Sequence, residues 1–276
     1  MTTAISPRAL HDAITRLRAA GCVFAEDEAA VLSASAAGEE EMSALVRRRA
    51  AGEPLEQVVG YADFCGVRVT LRPGVFVPRV RSGVLVRLAA EQARRLPGPL
   101  VVDLCCGSGA LGAAVVQRVP GVVLHAADLD PVAVACARDN LAGVGTVHQG
   151  DLYAALPVAL RGHVDVLLAN VPYVPTRHLP LLPAEARLHE APMALDGGHD
   201  GLDVFRAVAA AAVDWLAPGG VLLSEITDAQ VAAAEEALRA VGLDPAVHHD
   251  DDLEATAVLG LHRPGPTPVP GTRPLR

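Results

Sequence analysis

Asp103-Leu104-Cys105-Cys106-Gly107-Ser108-Gly109 sits where an apolar run, Leu100 to Leu104, gives way to a helical pattern, Ala110 to Val119. A strand that turns through glycines into a helix lets a ligand approach the backbone closely at the carboxyl end of a sheet. About 20 residues beyond Gly107, Asp128 closes the next apolar run, Val122 to Ala127, where an acid can accept both hydroxyls of a ribose. The pattern implies a nucleoside-containing ligand. Gly107-Ser108-Gly109-Ala110-Leu111-Gly112 also matches G-x-G-x-x-G, so a dinucleotide such as NAD(P) is one reading. The acid just before the loop, Asp103, favours another. It suits the ammonium of an amino-acid moiety and would repel a pyrophosphate, as expected for a methionine-bearing sulfonium nucleoside, S-adenosylmethionine.

Strand and helix alternate outward from this loop. Helices are expected at Pro131 to Leu141, Asp203 to Leu216 and Asp228 to Val241. Strands are expected at Gly145 to His148, Val164 to Ala169 and Val221 to Ile226, the last after the turn Pro218-Gly219-Gly220. Ala246 to His249 and Ala255 to His262 pair as a final antiparallel hairpin. The alternation predicts an α/β fold with a mostly parallel sheet covered on both faces. Asp151, after the third strand, is placed to meet an adenine amino group, with Leu129 and Leu152 as apolar walls. Cys105 and Cys106 read as small residues filling a tight turn.

Upstream, Ser6-Pro7 is an N-cap followed by proline at the first helical position, with Leu10, Ile14 and Leu17 at helical spacing. Glu26 to Ala37 and Glu40 to Ala51 read as two more helices, each too short to stand alone. Val67 to Arg72 alternates, Pro73-Gly74 marks a turn and Val75-Phe76-Val77 resumes an apolar strand, so a β-hairpin is expected here. Ser82 to Arg95 is a helix. The domains are therefore 1–60, helical; 61–82, a hairpin linker; 83–263, the α/β domain; and 264–276, a Pro-rich tail expected to be disordered.

At the end of the strand Val164 to Ala169 stands Asn170-Val171-Pro172-Tyr173. An Asn side chain and a backbone carbonyl beside an aromatic ring can grip a planar –NH2 group. The Asn170 and Val171 carbonyls would accept one hydrogen bond each, and Tyr173 would pack on the plane. Composition narrows the acceptor. The chain carries a net charge of -9 over 276 residues, and all its basic residues are Arg, which suits no phosphate backbone. Stable nucleic-acid binding is not expected. The N-terminus has no basic stretch followed by an apolar core, and no segment is long and apolar enough to span a bilayer. Cys22, Cys65, Cys105, Cys106 and Cys136 are odd in number and lack metal-site spacing, so reduced thiols in a cytoplasmic protein are expected, with no metal. His248-His249-Asp250-Asp251-Asp252 reads as a solvated turn, and Glu225 as ending a strand near the site and ordering a neighbouring loop.

Together, Asp-Leu-Cys-Cys-Gly-Ser-Gly, Asp128, Asp151 and Asn-Val-Pro-Tyr resemble the class I S-adenosylmethionine-dependent methyltransferases that modify planar nitrogens, which carry Asn-Pro-Pro-Tyr at the last position. Glu53-Pro54-Leu55, Val59-Gly60, Phe64, Pro73-Gly74-Val75, Val77-Pro78-Arg79 and the segment Glu190 to Leu202 narrow the resemblance. They are similar to the protein-(glutamine-N5) methyltransferases acting on peptide chain release factors. The resemblance implies a Rossmann-like catalytic domain and an N-terminal domain that recognises a protein. It implies methylation of a glutamine amide in the Gly-Gly-Gln loop of a release factor; the sequence does not give the oligomeric state, and a monomer is favoured. Asn170, Val171, Pro172 and Tyr173 are its expected catalytic residues. Asp103, Cys105, Cys106, Gly107, Ser108, Gly109, Asp128, Leu129, Asp151, Leu152 and Asn170 are expected to hold the cofactor. An adenine N6-methyltransferase and an NAD(P)-binding oxidoreductase are the alternatives. The chain departs from the family at Val171, usually Pro, at Cys105, usually Gly, and at Val80-Arg81-Ser82, usually Pro and an acidic-Thr pair.

Overall fold

The computed structural model describes residues 5–263, and the Pro-rich tail expected at 264–276 lies outside them. Four helices come first: α1 (Pro7–Ala19), α2 (Ala25–Ser35), α3 (Glu39–Ala50) and α4 (Leu55–Val59). Ser6 caps α1 by accepting from the Ala9 N–H at 3.2 Å. Leu17, Leu32, Met42, Val46 and Val58 form the small core that none of these helices could supply alone.

The expected hairpin is shifted in sequence. Strand β1 (Tyr61–Phe64) pairs antiparallel with β2 (Val67–Thr70) across Cys65-Gly66, not across Pro73-Gly74. Both turn residues have positive φ, Cys65 at 50° and Gly66 at 91°, as a two-residue hairpin turn requires. Val75 and Val77 are buried but form no strand; they pack beside Leu71, Ala133 and Cys136.

The remaining elements follow as α5 (Gly83–Ala93), β3 (Leu100–Leu104), α6 (Ala110–Arg118), β4 (Val123–Asp128), α7 (Pro131–Asn140), β5 (Gly145–Gln149), β6 (Val164–Ala169), α8 (Ala184–His189), α9 (Asp203–Trp215), β7 (Leu216–Ile226), α10 (Val231–Ala240), β8 (Asp244–Asp250) and β9 (Ala255–Leu261). The seven-stranded sheet has the order β5-β4-β3-β6-β7-β9-β8. Its first five members are parallel, and β9 and β8 join antiparallel. Thus the fold is α/β with a mostly parallel sheet and a C-terminal antiparallel hairpin. His248 to Asp250 belong to β8 itself rather than to its turn, and Asp250 pairs with Arg87 of α5.

Successive residues of the central strands enter opposite layers. Val101, Val166, Leu168, Val221 and Leu223 face the layer with α5 and α6. Val102, Leu104, Leu167, Ala169 and Leu222 face the layer built on Phe205, Ala209 and Leu238 of α9 and α10. Burial on both faces is why these strands read as unbroken apolar runs. The chain winds outward from β3 to β5, then returns to β6 on the other side of β3. The strand order reverses at that point, and the loops after β3 and β6 splay apart into a crevice at the carboxyl end of the sheet.

Candidate active site

A cavity of about 900 Å³ opens in this crevice. The β3–α6 turn forms one wall: Cys105, Cys106, Gly107 and Ser108 all line it. Cys105 holds φ at 55° and Gly107 at 55°, so a residue with a side chain occupies a left-handed position that normally favours glycine. Gly109 does not line the cavity. It caps α6 at φ 77°, and a Cβ there would meet Leu141 at 3.0 Å, so it serves the turn's packing.

Asp128 at the end of β4 braces the same turn. Its Oδ2 accepts from the Gly107 N–H at 2.8 Å and its Oδ1 from the Asp130 N–H at 2.9 Å. Each oxygen keeps a lone pair for a ligand hydroxyl, and Asp128, Leu129, Asp151 and Leu152 all line this end of the cavity. Leu152 is also left-handed, at φ 44°. Two strained non-glycine residues thus border the same end, where such strain tends to mark ligand sites. Burial, with the charges of Asp128, Asp103 and Asp151, pushes the Cys105 thiol well up, and burial does the same at Cys106. Neither sulfur is a thiolate at neutral pH. The potential here is negative, which favours a cationic ligand and opposes a pyrophosphate.

Asp103 is not part of the cavity wall, contrary to its expected direct place beside a ligand. Its carboxyl turns into the first turns of α6, where Oδ2 accepts from the Gly112 N–H at 3.0 Å. Oδ1 is buried without a partner among the described residues. Burial pushes its pKa up to about 7; the Gly112 N–H opposes this and the charge of Asp128 adds to it. The native carboxyl therefore keeps a proton that an unfolded Asp has lost above about 4. Stability should fall as pH rises from about 4 to about 7, because the native state binds more protons there. Urea titrations at pH 5 and pH 8 should show wild type losing more stability than Asp103→Asn, by on the order of 2 kcal/mol. Equal losses in the two proteins would contradict this account.

The opposite wall carries Asn170, Val171, Pro172 and Tyr173, where β6 ends. Asn170 donates from Nδ2 to Ser82 Oγ at 3.2 Å. Among the described residues, neither Asn170 Oδ1 nor the Val171 carbonyl accepts a hydrogen bond from the protein. The Val171 side chain is buried in the layer below, so the family's proline is replaced by a residue that contributes packing and leaves its carbonyl available. Tyr173 donates its hydroxyl to Glu225 Oε1 at 2.6 Å and accepts from Arg81 Nη2 at 2.7 Å. Burial and the charge of Glu225 push its phenol well up, so it remains neutral.

The segment after this loop is zipped onto it. Gly197 donates to the Val174 carbonyl at 2.9 Å, and Thr176 donates to the Gly198 carbonyl at 2.9 Å. Glu190 is buried and accepts both from Arg79 and, at 3.2 Å, from the Val77 N–H. The helical domain reaches the same wall. Arg49 pairs with Glu28 and with Glu185 of α8, and Gln57 donates to the carbonyls of Val75 and His189. Sequence reading missed Phe76, Arg79, Arg81, Glu185 and Asp196 as cavity residues. Only Glu225, noted for ending a strand, hinted at the group behind Tyr173. Among the described residues no cluster of His, Cys, Asp or Glu is placed to hold a metal, and no helix is long and apolar enough to cross a membrane.

A glycine turn after the first parallel strand, an acid after the second and the Asn170 to Tyr173 loop after the fourth, at the switch point of this sheet, define a Rossmann-like methyltransferase. A sequence model of the methyltransferase small domain matches residues 67–211. The chain belongs to the methyltransferase small domain family. It is 40% identical, over 71% of this chain and 69% of the relative, to a 4-amino-L-phenylalanine/4-methylamino-L-phenylalanine methyltransferase of Streptomyces pristinaespiralis. It is 35% identical, over 85% of this chain and 90% of the relative, to a release factor glutamine methyltransferase of Moorella thermoacetica. Its fold resembles that of the T. thermophilus 16S rRNA N2 G1207 methyltransferase, with a TM-score of 0.53 at 20% identity over 74% of this chain and 50% of that one.

Proposed function

We propose that the chain transfers a methyl group from S-adenosylmethionine to the side-chain amide nitrogen of a protein glutamine, in the Gly-Gly-Gln loop of a peptide chain release factor. The observation that carries this reading is the pair of free acceptors, Asn170 Oδ1 and the Val171 carbonyl, on a cavity whose other wall is a glycine turn in a negative field. When bound, the cofactor supplies an electrophilic methyl on a sulfonium. The turn at Cys105 to Ser108 would cradle it, Asp128 would hold its ribose, and Asp151 with Leu129 and Leu152 would flank its base. Asp103 would brace the start of α6 behind the turn through its bond from the Gly112 N–H.

An amide nitrogen is a weak nucleophile because its lone pair is shared with the carbonyl. Asn170 Oδ1 and the Val171 carbonyl would each take one N–H, turning the nitrogen's remaining lobe toward the methyl. Tyr173 would pack beside the planar group and keep water away. The proton is lost to solvent after transfer. Leu181, Leu188 and Met193, all exposed near the loop that rims the cavity, offer apolar contact to a protein acceptor, with the helical domain adjoining through Arg49. The relatives named release factor glutamine methyltransferases, six further ones at 32–39% identity among them, support the same acceptor.

One observation favours a second acceptor, an aromatic amine on a free amino acid. Arg81 lines the cavity with its side chain about half exposed, a cation suited to a substrate carboxylate, and the Streptomyces pristinaespiralis relative is named for such a substrate. Methyl-labelled S-adenosylmethionine with purified release factors, with 4-amino-L-phenylalanine and with nucleic acid decides between them. Label in the release factor, lost when its loop glutamine is changed to alanine, is the expected result; label only in the amino acid would overturn it.

A further inference from the structure

We infer that Glu225 and Ser82 act as a polarity lock on Asn170, fixing which end of its side-chain amide faces the acceptor nitrogen. An Asn amide has two nearly isosteric orientations, and only the network around it selects one. The acceptor nitrogen brings N–H groups, so Asn170 must present oxygen. This inference rests on the reading of Asn170 as the nitrogen-gripping residue.

The selection follows from counting protons. Glu225 ends β7, and only 3% of its side chain is exposed. Its Oε1 accepts from Tyr173 OH at 2.6 Å and from Arg81 Nε at 2.8 Å. Its Oε2 accepts from Ser82 Oγ at 2.5 Å. Ser82 has one hydroxyl proton, and the carboxylate takes it. The hydroxyl can then only accept from Asn170, 3.2 Å away, so the group facing it must be the Nδ2 amine. Oδ1 is thereby turned to the cavity. The reverse orientation would set two oxygens without a proton against each other.

Arg81 makes the lock one-directional. A guanidinium only donates, so whichever Glu225 oxygen it meets must be an acceptor. In a Glu225→Gln protein the amide oxygen is therefore held at Arg81 and Tyr173, and the new –NH2 points at Ser82. Ser82 then accepts from residue 225 and donates its own proton to Asn170, which turns its oxygen inward and presents –NH2 to the acceptor. The isosteric change reverses the lock. Removing Ser82 altogether only releases it.

The order of activities is therefore unusual. Glu225→Gln should lower kcat by roughly 10²-fold, the size of effect seen when one positioned hydrogen-bonding group at a reacting centre is lost. Ser82→Ala should lower it by only a few fold, and Ser82→Thr should keep it near wild type. The double variant Ser82→Ala/Glu225→Gln should be more active than Glu225→Gln alone, recovering to about the Ser82→Ala level. Binding of S-adenosylmethionine by calorimetry should change by no more than a few fold throughout. A residue that only supports the fold would give losses that add or worsen in the double variant, and that outcome overturns the lock. A second readout needs no acceptor. The Asn170 side-chain –NH2 signals, assigned by their loss in Asn170→Asp, should exchange slowly with solvent in wild type and fast in Glu225→Gln. Equal exchange in both overturns the lock, whatever the acceptor proves to be.

Discussion

Asn170→Ala should lower methyl transfer by roughly 10³-fold or more while S-adenosylmethionine binds within a few fold of wild type. The size follows from what the side chain is asked to do. One of the two carbonyl acceptors that orient the nitrogen belongs to Asn170, and losing a single positioned hydrogen-bonding group costs about 10²–10³ in kcat. The remaining carbonyl, at Val171, cannot by itself fix the lone-pair direction, and a misplacement of about 1 Å adds about 10². The contacts proposed for the cofactor follow β3, β4 and β5, with Asn170 across the cavity, so its affinity should hold. The fold should hold too, because among the described residues the Asn170 side chain makes one hydrogen bond and its replacement leaves Ser82 bonded to Glu225. Single-turnover transfer and calorimetry on the same samples separate the two effects. Transfer that persists would remove Asn170 from the reaction. A large loss of cofactor affinity would make it a cofactor residue instead.

Much of the architecture was legible because its signals are local. The runs at Leu100 to Leu104 and Val164 to Ala169 are buried on both faces and bounded by turn residues, so period, length and punctuation agree, and both strands take those bounds. The two loops that make the cavity each begin where such a run stops, so the same signal located them. Pro73-Gly74 misled because the dipeptide is a stronger turn signal than Cys65-Gly66, while the side-chain alternation from Val67 to Leu71 fits either hairpin. Helix α4, at five residues, carries too little periodicity to be seen. The partners of Asn170 and Tyr173 were hidden for a different reason. Ser82 and Glu225 stand 143 residues apart, and only the winding of the sheet brings the start of α5 to the end of β7. Asp103 shows the limit of reading a charge without a direction. Its place before the turn is as expected, but its carboxyl points into α6, where burial holds its proton and it braces the helix start rather than facing the cavity.

Gly197→Ala should lower transfer by roughly 10²-fold, with a moderate loss of fold stability from the overpacking and little loss of cofactor binding. This glycine does not have a left-handed backbone, so an alanine would fit its conformation, and space alone decides the outcome. A Cβ at 197 would lie 2.6 Å from the Gly201 carbonyl oxygen and 2.7 Å from the Pro172 carbonyl oxygen. Real Cβ atoms do not come that close, and both neighbours are backbone, so neither can swing aside. Something must translate. Gly201 has φ at 83°, and its own Cβ position is filled by the Tyr173 carbonyl and, at 2.5 Å, by Gln230 Nε2, so that side is already fixed. Gln230 in turn donates to the Tyr173 and Asp200 carbonyls at 2.9 Å and 3.0 Å, tying both segments to the end of β7. Of the two contacts, Pro172 is the one in the Asn170 to Tyr173 loop, which borders the open cavity. Pushing it by a few tenths of an ångström to an ångström moves the Val171 carbonyl and the Tyr173 ring with it. An error of that size is enough for about 10² in rate. The loss should appear in kcat, with the thermal midpoint lowered and cofactor affinity nearly unchanged, since the turn after β3 is not involved. Gly162→Ala, where a Cβ meets nothing within 4 Å but φ is 78°, serves as the control that a destabilising glycine change elsewhere leaves turnover alone. If Gly197→Ala transferred methyl at the wild-type rate, the loop would tolerate displacement, and the close-fitting Asp196 to Leu202 segment would have no part in holding Asn170 to Tyr173 in place.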